Sequence, residues 1–498
     1  MKGIVYLVGA GPGDPELISI KGKRLLQEAD CVIYDYLAEK SLVSDLRCEL
    51  IYVGKQGSNH TMTQDEINSL MLSKALEGKK VVRLKGGDPF IFGRGGEEAE
   101  ELAKAGIPFV VVPGISSFYS APAYAGIPVT HRDFANAFEV ISGHRRDDAS
   151  EIDDVNFPEY DPEKTFVFLM GMKNLSHIKE KLINEKHFPP DTPVGIVSWG
   201  TRPQQRVLTA TLNSIDIEVE RTKMKPPAII VMGGVVSLRE RLRWFDNQPL
   251  FGKKIVVTRT REQASRLSSM LITLGAEVVE FPTIEIKREE NLSTLHNALQ
   301  NIDKYHWLVF TSQNAVNIFF EELFKIGKDS RTLGNIKIAV IGKASGDELK
   351  QYGLRPDLIP EEFVAESLIE KFSKIDIKHK KILLPCSADA RPTLRDGLEK
   401  LGAEVNRIHI YSSQKPAKIN DEILDMVKGA DVVTFTSSST VNNFFDIVNS
   451  CNGVFASIGP ITTETLIKRG HEAEITAREY TIDGLVKALI EYFTEVKP

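Results

Sequence analysis

IVYLVGAGPGDP, residues 4–15, is the stretch on which the fold of the first half turns. An apolar run enters a glycine-rich turn, as at the opening of a dinucleotide-binding fold. That fingerprint needs a third glycine where this chain has Asp14, and Pro12 and Pro15 flank the position. A carboxylate at a helix start repels a pyrophosphate, so the stretch argues against NAD. Working outward, DCVIYD, KKVVRLKG, FVVVPG, TFVFLMG, AIIVMGG, KKIVVT, WLVFTS, IAVIG, KILLPC, VVTFTS and FASIG alternate with helical stretches. Many of these runs are continuously apolar, as strands covered on both faces are, and the chain reads as α/β almost everywhere.

At 498 residues the chain exceeds one core and predicts about three or four domains. Its 42% apolar and 26% charged residues fit a soluble globular protein. A net charge of −6 excludes a broadly basic nucleic-acid binder and leaves room for an anion held by local Arg and Lys. Cys31, Cys48, Cys386 and Cys451 form no C-x-x-C pair, and His60 and His131 lack metal-ligand spacing. No disulfide framework and no metal site is expected. The apolar start is too short for a signal core or a membrane span, so the expectation is a reduced, cytoplasmic protein.

One boundary is visible. The basic stretch SLRERLRWF ends near Phe245, and DNQPLFGKK leads into a new run at Ile255. Asp, Asn, Pro and Gly together mark a connection, giving parts 1–245 and 252–498 with a short, polar linker at 246–251 that should make few contacts. The second part repeats itself. GKKIVVTRTREQASRLSSMLITLGAEVVEF matches KHKKILLPCSADARPTLRDGLEKLGAEVNRI, and YHWLVFTSQNAVNIFF matches ADVVTFTSSSTVNNFF. An offset of roughly 120 residues means a duplicated domain rather than a repeat array. Two such lobes leave a cleft, the default place for a ligand.

Two longer stretches sharpen the first half: RLKGGDPFIFGRGGEE at 83–98 and VVVPGISSFYSAPAYAGIPVTHR at 110–132. With VGAGPGDPELISIKG, VIYDYL and VGK they closely resemble uroporphyrinogen-III C-methyltransferases of the tetrapyrrole methylase family, over roughly residues 1–245. The resemblance implies two α/β lobes, about 1–134 and 135–245, with S-adenosylmethionine bound between them. It implies a cofactor site of Pro12, Gly86, Gly87, Asp88, Ile91, Ser116, Ser117, Met170 and Gly200, with Ser116–Ser117 in place of the more usual Thr-Ala. The residues themselves agree. Gly86 and Gly87 let backbone approach a ligand closely, and Asp88 can accept a hydrogen bond or face a sulfonium, although GGDPF alone reads as a tight turn.

The substrate implied is a porphyrinogen ringed by carboxylates, which guanidinium forks suit. Arg94 and Arg132 sit in the matching motifs, Glu97 is placed to orient Arg94, and His131 is a further carboxylate contact. The chemistry implied is carbon methylation, with Asp35 as proton acceptor and Lys55 as proton donor. Asp35 ends an apolar strand, where burial would raise its basicity, though such an Asp alone is more often a cap or turn former. Thr63 and Glu66 in TQDE read as a capping box.

In the second part, VVTRTREQASRL, WLVFTSQNAV, FTSSSTVNNF and IGPITTETL followed by AREYTIDGLVKAL resemble uroporphyrinogen-III synthase over about 252–498. That resemblance implies a chain that begins lobe one, builds lobe two and returns: lobe one about 252–285 plus 413–498, lobe two about 286–412. It implies closure of hydroxymethylbilane with loss of water and no cofactor, and it makes Tyr411 a cleft tyrosine. Thr311, Ser312, Thr436, Ser437 and Thr462 stand where hydroxyls anchor carboxylates or cap helices. The expectation is a bifunctional enzyme that makes uroporphyrinogen III and methylates it at C2 and C7 to precorrin-2, dimeric through its first half. The alternative joins a methylase of this family to a non-catalytic small-molecule sensor.

Overall fold

The computed structural model describes residues 2–54, 62–143, 156–258, 261–362, 364–414, 416, 419 and 421–495. Its compact units are 1–255 with 269–278 and 486–498, and 256–268 with 279–485.

Two sheets organise the first half. One holds β1 (Ile4–Gly9), β2 (Cys31–Tyr34), β3 (Glu49–Tyr52), β4 (Lys80–Lys85) and β5 (Phe109–Val112) in the order β3-β2-β4-β1-β5, all parallel. Helices cover both faces, so Val5, Leu7, Val81 and Val8, Val82, Leu84 fall into separate cores. The helix Gln64–Leu76 starts with the Thr63–Glu66 capping box read from sequence. The other sheet holds β6 (Ala137–Ser142), β7 (Lys164–Leu169), β8 (Pro193–Ser198), β9 (Arg206–Thr211) and β10 (Ala228–Met232) in the order β6-β7-β10-β8-β9. Only β6 and β7 run parallel; β10 is antiparallel to both its neighbours.

The second half holds β11 (Lys254–Val257), β12 (Glu277–Glu280), β13 (Glu285–Arg288), β14 (Trp307–Phe310), β15 (Lys337–Val340), β16 (Lys381–Ser387), β17 (Glu404–Gln414), β18 (Val432–Phe435), β19 (Val454–Ser457) and β20 (Ile475–Thr476). They form two sheets, β12-β11-β18-β19-β20 and β13-β17-β16-β14-β15. The repeat is written in these orders: β12-β11-β18-β19 in one sheet corresponds to β17-β16-β14-β15 in the other. Each repeat supplies two strands to one sheet and three to the other.

The linker at 246–251 is not loose. Leu250 is fully buried, Phe251 packs edge-on to Phe245, and Asp246 pairs with Arg239. The expected run of polar, sparsely contacting residues is corrected: DNQPLF carries two apolar side chains, and they find a core. Among the described residues no helix is long and apolar enough to cross a membrane.

Candidate active site

The C-terminal ends of β1, β2 and β4 face the ends of β7, β8 and β10 across a cavity of about 670 Å³. All nine residues of the implied cofactor set line it, and so does Asp35. Glycine builds the floor. Gly11 and Gly87 bond each other's backbone in both directions, at 3.2 and 2.7 Å, joining the first glycine turn to the second. A Cβ on Gly9 would lie 2.5 Å from Gly114 Cα and 2.6 Å from the Gly87 carbonyl oxygen. Gly9 and Gly114 are therefore glycines because backbones meet there, not to admit a ligand. Gly87 differs. It holds φ +68°, and a Cβ there would have no atom closer than Ser116 Cα at 3.9 Å, so its open side faces the cavity.

Asp88 is committed to the fold. Its oxygens accept the Phe90 N–H at 2.8 Å and the Gly114 N–H at 2.9 Å, which fixes the GGD turn against the strand end at Val112. Asp14 likewise caps its own turn through Glu16 N–H and accepts from the Tyr124 hydroxyl at 2.9 Å. Left-handed backbone gathers around the cavity: Phe92 (φ 50°), Met170 (58°) and Trp199 (51°) line it, with Arg94 (59°) and Thr201 (70°) beside them. Such strain concentrates at functional sites.

Asp35 is not the simply buried carboxylate expected at a strand end. Its side chain keeps 26% exposure, accepts from Arg83 at 3.1 Å and turns its other oxygen to the Leu37 N–H at 3.1 Å. Behind it lies a charged cluster that the motif reading passed over. Arg83 and Lys85, both inside β4, are 4% and 6% exposed, and both meet the fully buried Glu98, at 3.2 and 2.7 Å. Gln64 gives the same oxygen, Oε1, a third donor at 3.2 Å, while Glu98 Oε2 is buried without a partner. Burial, and next the Arg83 charge, push the Lys85 amine below its usual range, while Glu98 pulls the other way. The signal was present: two cations in a continuously apolar strand require a counter-charge in the interior.

Arg94 and Glu97 form a bidentate pair, 2.7 Å at its shortest, half-exposed and outside the cavity lining. Arg132 and His131 also stand away from that lining; Arg132 is exposed, and His131 Nδ1 accepts the Asp133 N–H at 3.2 Å. Lys55 and His60 lie outside the described residues.

In the second half, Tyr411 on β17 reaches Ser312 after β14, hydroxyl to hydroxyl, at 2.9 Å. Tyr411 is 5% exposed, and burial pushes its phenol above the usual range, with Ser312 opposing. Ser312 and Ser437 each cap a helix, through Ala315 N–H at 3.1 Å and Thr440 N–H at 3.3 Å. Thr311 and Thr436 are half-buried beside them. Thr462 is buried within its helix, whereas neighbouring Thr463 bonds Ser457 at 2.6 Å. No group of three or more acidic, His or Cys side chains suited to a metal occurs among the described residues.

These features define an α/β small-molecule enzyme unit followed by a duplicated two-sheet module. Residues 4–216 match the family model of Tetrapyrrole (Corrin/Porphyrin) Methylases, and residues 265–487 match that of Uroporphyrinogen-III synthase HemD. A porphyrin biosynthesis protein HemD of Ruminiclostridium josui is 39% identical, with 98% of each chain covered. A uroporphyrinogen-III C-methyltransferase of Bacillus subtilis is 42% identical over 71% of this chain and 72% of its own. A uroporphyrin-III C-methyltransferase structure from Thermus thermophilus, complexed with S-adenosyl homocysteine, is 37% identical, covers 47% of this chain and 93% of its own, and has a TM-score of 0.40. The chain belongs to the family in which a tetrapyrrole methylase is followed by a HemD-type uroporphyrinogen-III synthase. It is a bifunctional tetrapyrrole biosynthesis enzyme, a methyltransferase and a synthase in one polypeptide.

Proposed function

We propose that the first half methylates uroporphyrinogen III at C2 and C7 to give precorrin-2, and that the second half, acting as a lyase without a cofactor, closes hydroxymethylbilane to uroporphyrinogen III. The observation that carries the first assignment is the cavity itself. It brings all nine implied cofactor contacts and Asp35 to one wall system, with the open side of Gly87 facing in. Pro12, Gly86, Gly87, Asp88, Ile91, Ser116, Ser117, Met170 and Gly200 would hold S-adenosylmethionine. When bound, it supplies an electrophilic methyl group.

The chain's own work is positioning and proton handling. Asp35 accepts the proton released from the methylated ring, held at its carboxylate by Arg83. Lys55 returns a proton to the macrocycle. Arg94, oriented by Glu97, and Arg132 with His131 take substrate carboxylates. In the synthase half the leaving step is easy, so the task is geometric. Thr311, Ser312, Thr436, Ser437 and Thr462 anchor carboxylates, and the buried Tyr411 phenol stays protonated and donates toward the departing hydroxyl. The same reading takes the enzyme as cytoplasmic and dimeric through its first half, with catalytic halves 1–245 and 252–498 joined by the packed segment 246–251. The test is hydroxymethylbilane with and without S-adenosylmethionine, separating type III from type I product. Type III product alone, converted to precorrin-2 on adding the methyl donor, is expected. Type I product alone refutes the synthase assignment, and unmethylated type III product refutes the other.

A further inference from the structure

We propose that Arg202 is a positioning residue for methyl transfer: from the turn that carries Gly200 it fixes the loop Asp35–Glu39, and with it the Asp35 carboxylate, on the cavity wall. The inference rests on the reading of Asp35 as proton acceptor.

The turn after β8 is rigid. Thr201 N–H donates to Gln205 Oε1 at 3.0 Å, Gln205 Nε2 donates to the Tyr124 carbonyl at 3.2 Å, and Asp14 N–H donates to Thr201 Oγ1 at 3.0 Å. A Cβ on Gly200 would lie 2.3 Å from Ala121 Cβ, so the turn also sits hard against a helix. From this base the Arg202 guanidinium reaches the other sheet. One arm meets Glu39 Oε2 at 2.8 Å and another donates to the Leu37 carbonyl at 3.2 Å. The group lies 5.1 Å from the Trp199 ring centre, and Trp199 is edge-on to Tyr36 at 5.9 Å. The loop is thus gripped at both ends. Arg83, from β4, holds Asp35 itself, and Arg202 holds Leu37 and Glu39. Without Arg202, residues 36–39 would lose their polar ties to the other sheet and keep the Tyr36–Trp199 ring contact, and Asp35, whose oxygen caps Leu37 N–H, would share their freedom. A small displacement of a reacting carboxylate is costly to rate and nearly neutral to cofactor binding.

The experiment measures turnover on uroporphyrinogen III and S-adenosylmethionine affinity by calorimetry, in the full chain. Arg202→Ala should lower kcat about tenfold to a hundredfold and leave the S-adenosylmethionine Kd within about threefold. Arg202→Lys, which keeps the charge on Glu39 and loses the fork to Leu37, should fall between. In an Asp35→Asn background Arg202→Ala should cost less than about threefold more, because both changes act through one group. Full activity in Arg202→Ala, a loss that multiplies undiminished onto Asp35→Asn, or a weakened Kd with unchanged kcat each overturns the proposal. Should Arg202→Ala not fold, a full rate in Arg202→Lys overturns it instead. A wild-type protein that binds S-adenosylmethionine and methylates nothing overturns the functional reading itself, and this inference with it.

Discussion

Glu98→Gln removes one charge and hardly any volume from the cluster beneath the active-site cavity. Lys85 Nζ at 2.7 Å and Arg83 Nε at 3.2 Å converge on one oxygen of a fully buried side chain. At an effective dielectric constant near 20 these contacts amount to about 6 and about 5 kcal/mol of gross attraction, most of it offset by desolvation. Taking away one partner leaves the cations facing each other, and breaking a buried pair in this way costs about 3–5 kcal/mol. The loss should depend on pH. Lys85 already sits below the unfolded lysine value, and Glu98 opposes that shift, so Glu98→Gln lowers Lys85 further. Between the folded and unfolded values the unfolded chain holds more protons, so stability rises with pH across that window. The window is wider in the variant, and its deficit should shrink as pH rises toward the unfolded lysine value. Urea unfolding followed by tryptophan fluorescence reads this, since Trp199 and Trp244 belong to the first unit and Trp307 to the second. A loss below about 1 kcal/mol at neutral pH, or one that grows with pH, would refute the ion-pair account of Glu98.

Asp35→Asn should cut methyl transfer about a hundredfold or more in single-turnover assays while S-adenosylmethionine binding by calorimetry stays unchanged; unaltered turnover would return Asp35 to a turn-forming role. Gly200→Ala drives a Cβ to 2.3 Å from Ala121 Cβ and should weaken that binding about tenfold, through a shifted turn costing about 1–3 kcal/mol. Tyr411→Phe removes the hydroxyl that meets Ser312 and should slow type III product formation by roughly a few-fold to a hundredfold, read as the ratio of type III to type I isomer. Leu250→Ala should lower stability by about 2–4 kcal/mol in the same unfolding experiment, because that linker leucine is fully buried.

Many central strands were legible because burial on both faces leaves a continuous apolar run, as in WLVF, although central β8 (PVGIVS) and β17 were not among the runs read from the sequence. The edge strands β3, β9 and β13 were not, since their side chains are mostly half-exposed or exposed and carry no such run. The cavity lining was legible through motif resemblance, and the glycines within it only in part: the sequence marks Gly9 and Gly87 alike, while one meets backbone and the other faces open space. The turn at Trp199–Arg202 stayed hidden because left-handed Trp199 and Thr201 are imposed by tertiary contacts, not by local preference. Glu98 stayed hidden because GGEE reads as an acidic helix start, and nothing local says that its second glutamate points inward to two cations.

The exchange of strands between the duplicated repeats has a consequence for how this chain is made. On the ribosome β11 and β12 emerge early, but their sheet is completed by β18, β19 and β20, which emerge last. The sheet β13-β17-β16-β14-β15, whose strands are contiguous in sequence, can close first and hold the two ends of the module near each other. Until synthesis is nearly finished, β11 keeps an edge open to other chains, and release of an incomplete chain leaves it so. Loss of even the last strands should therefore damage the part of the module that was translated first.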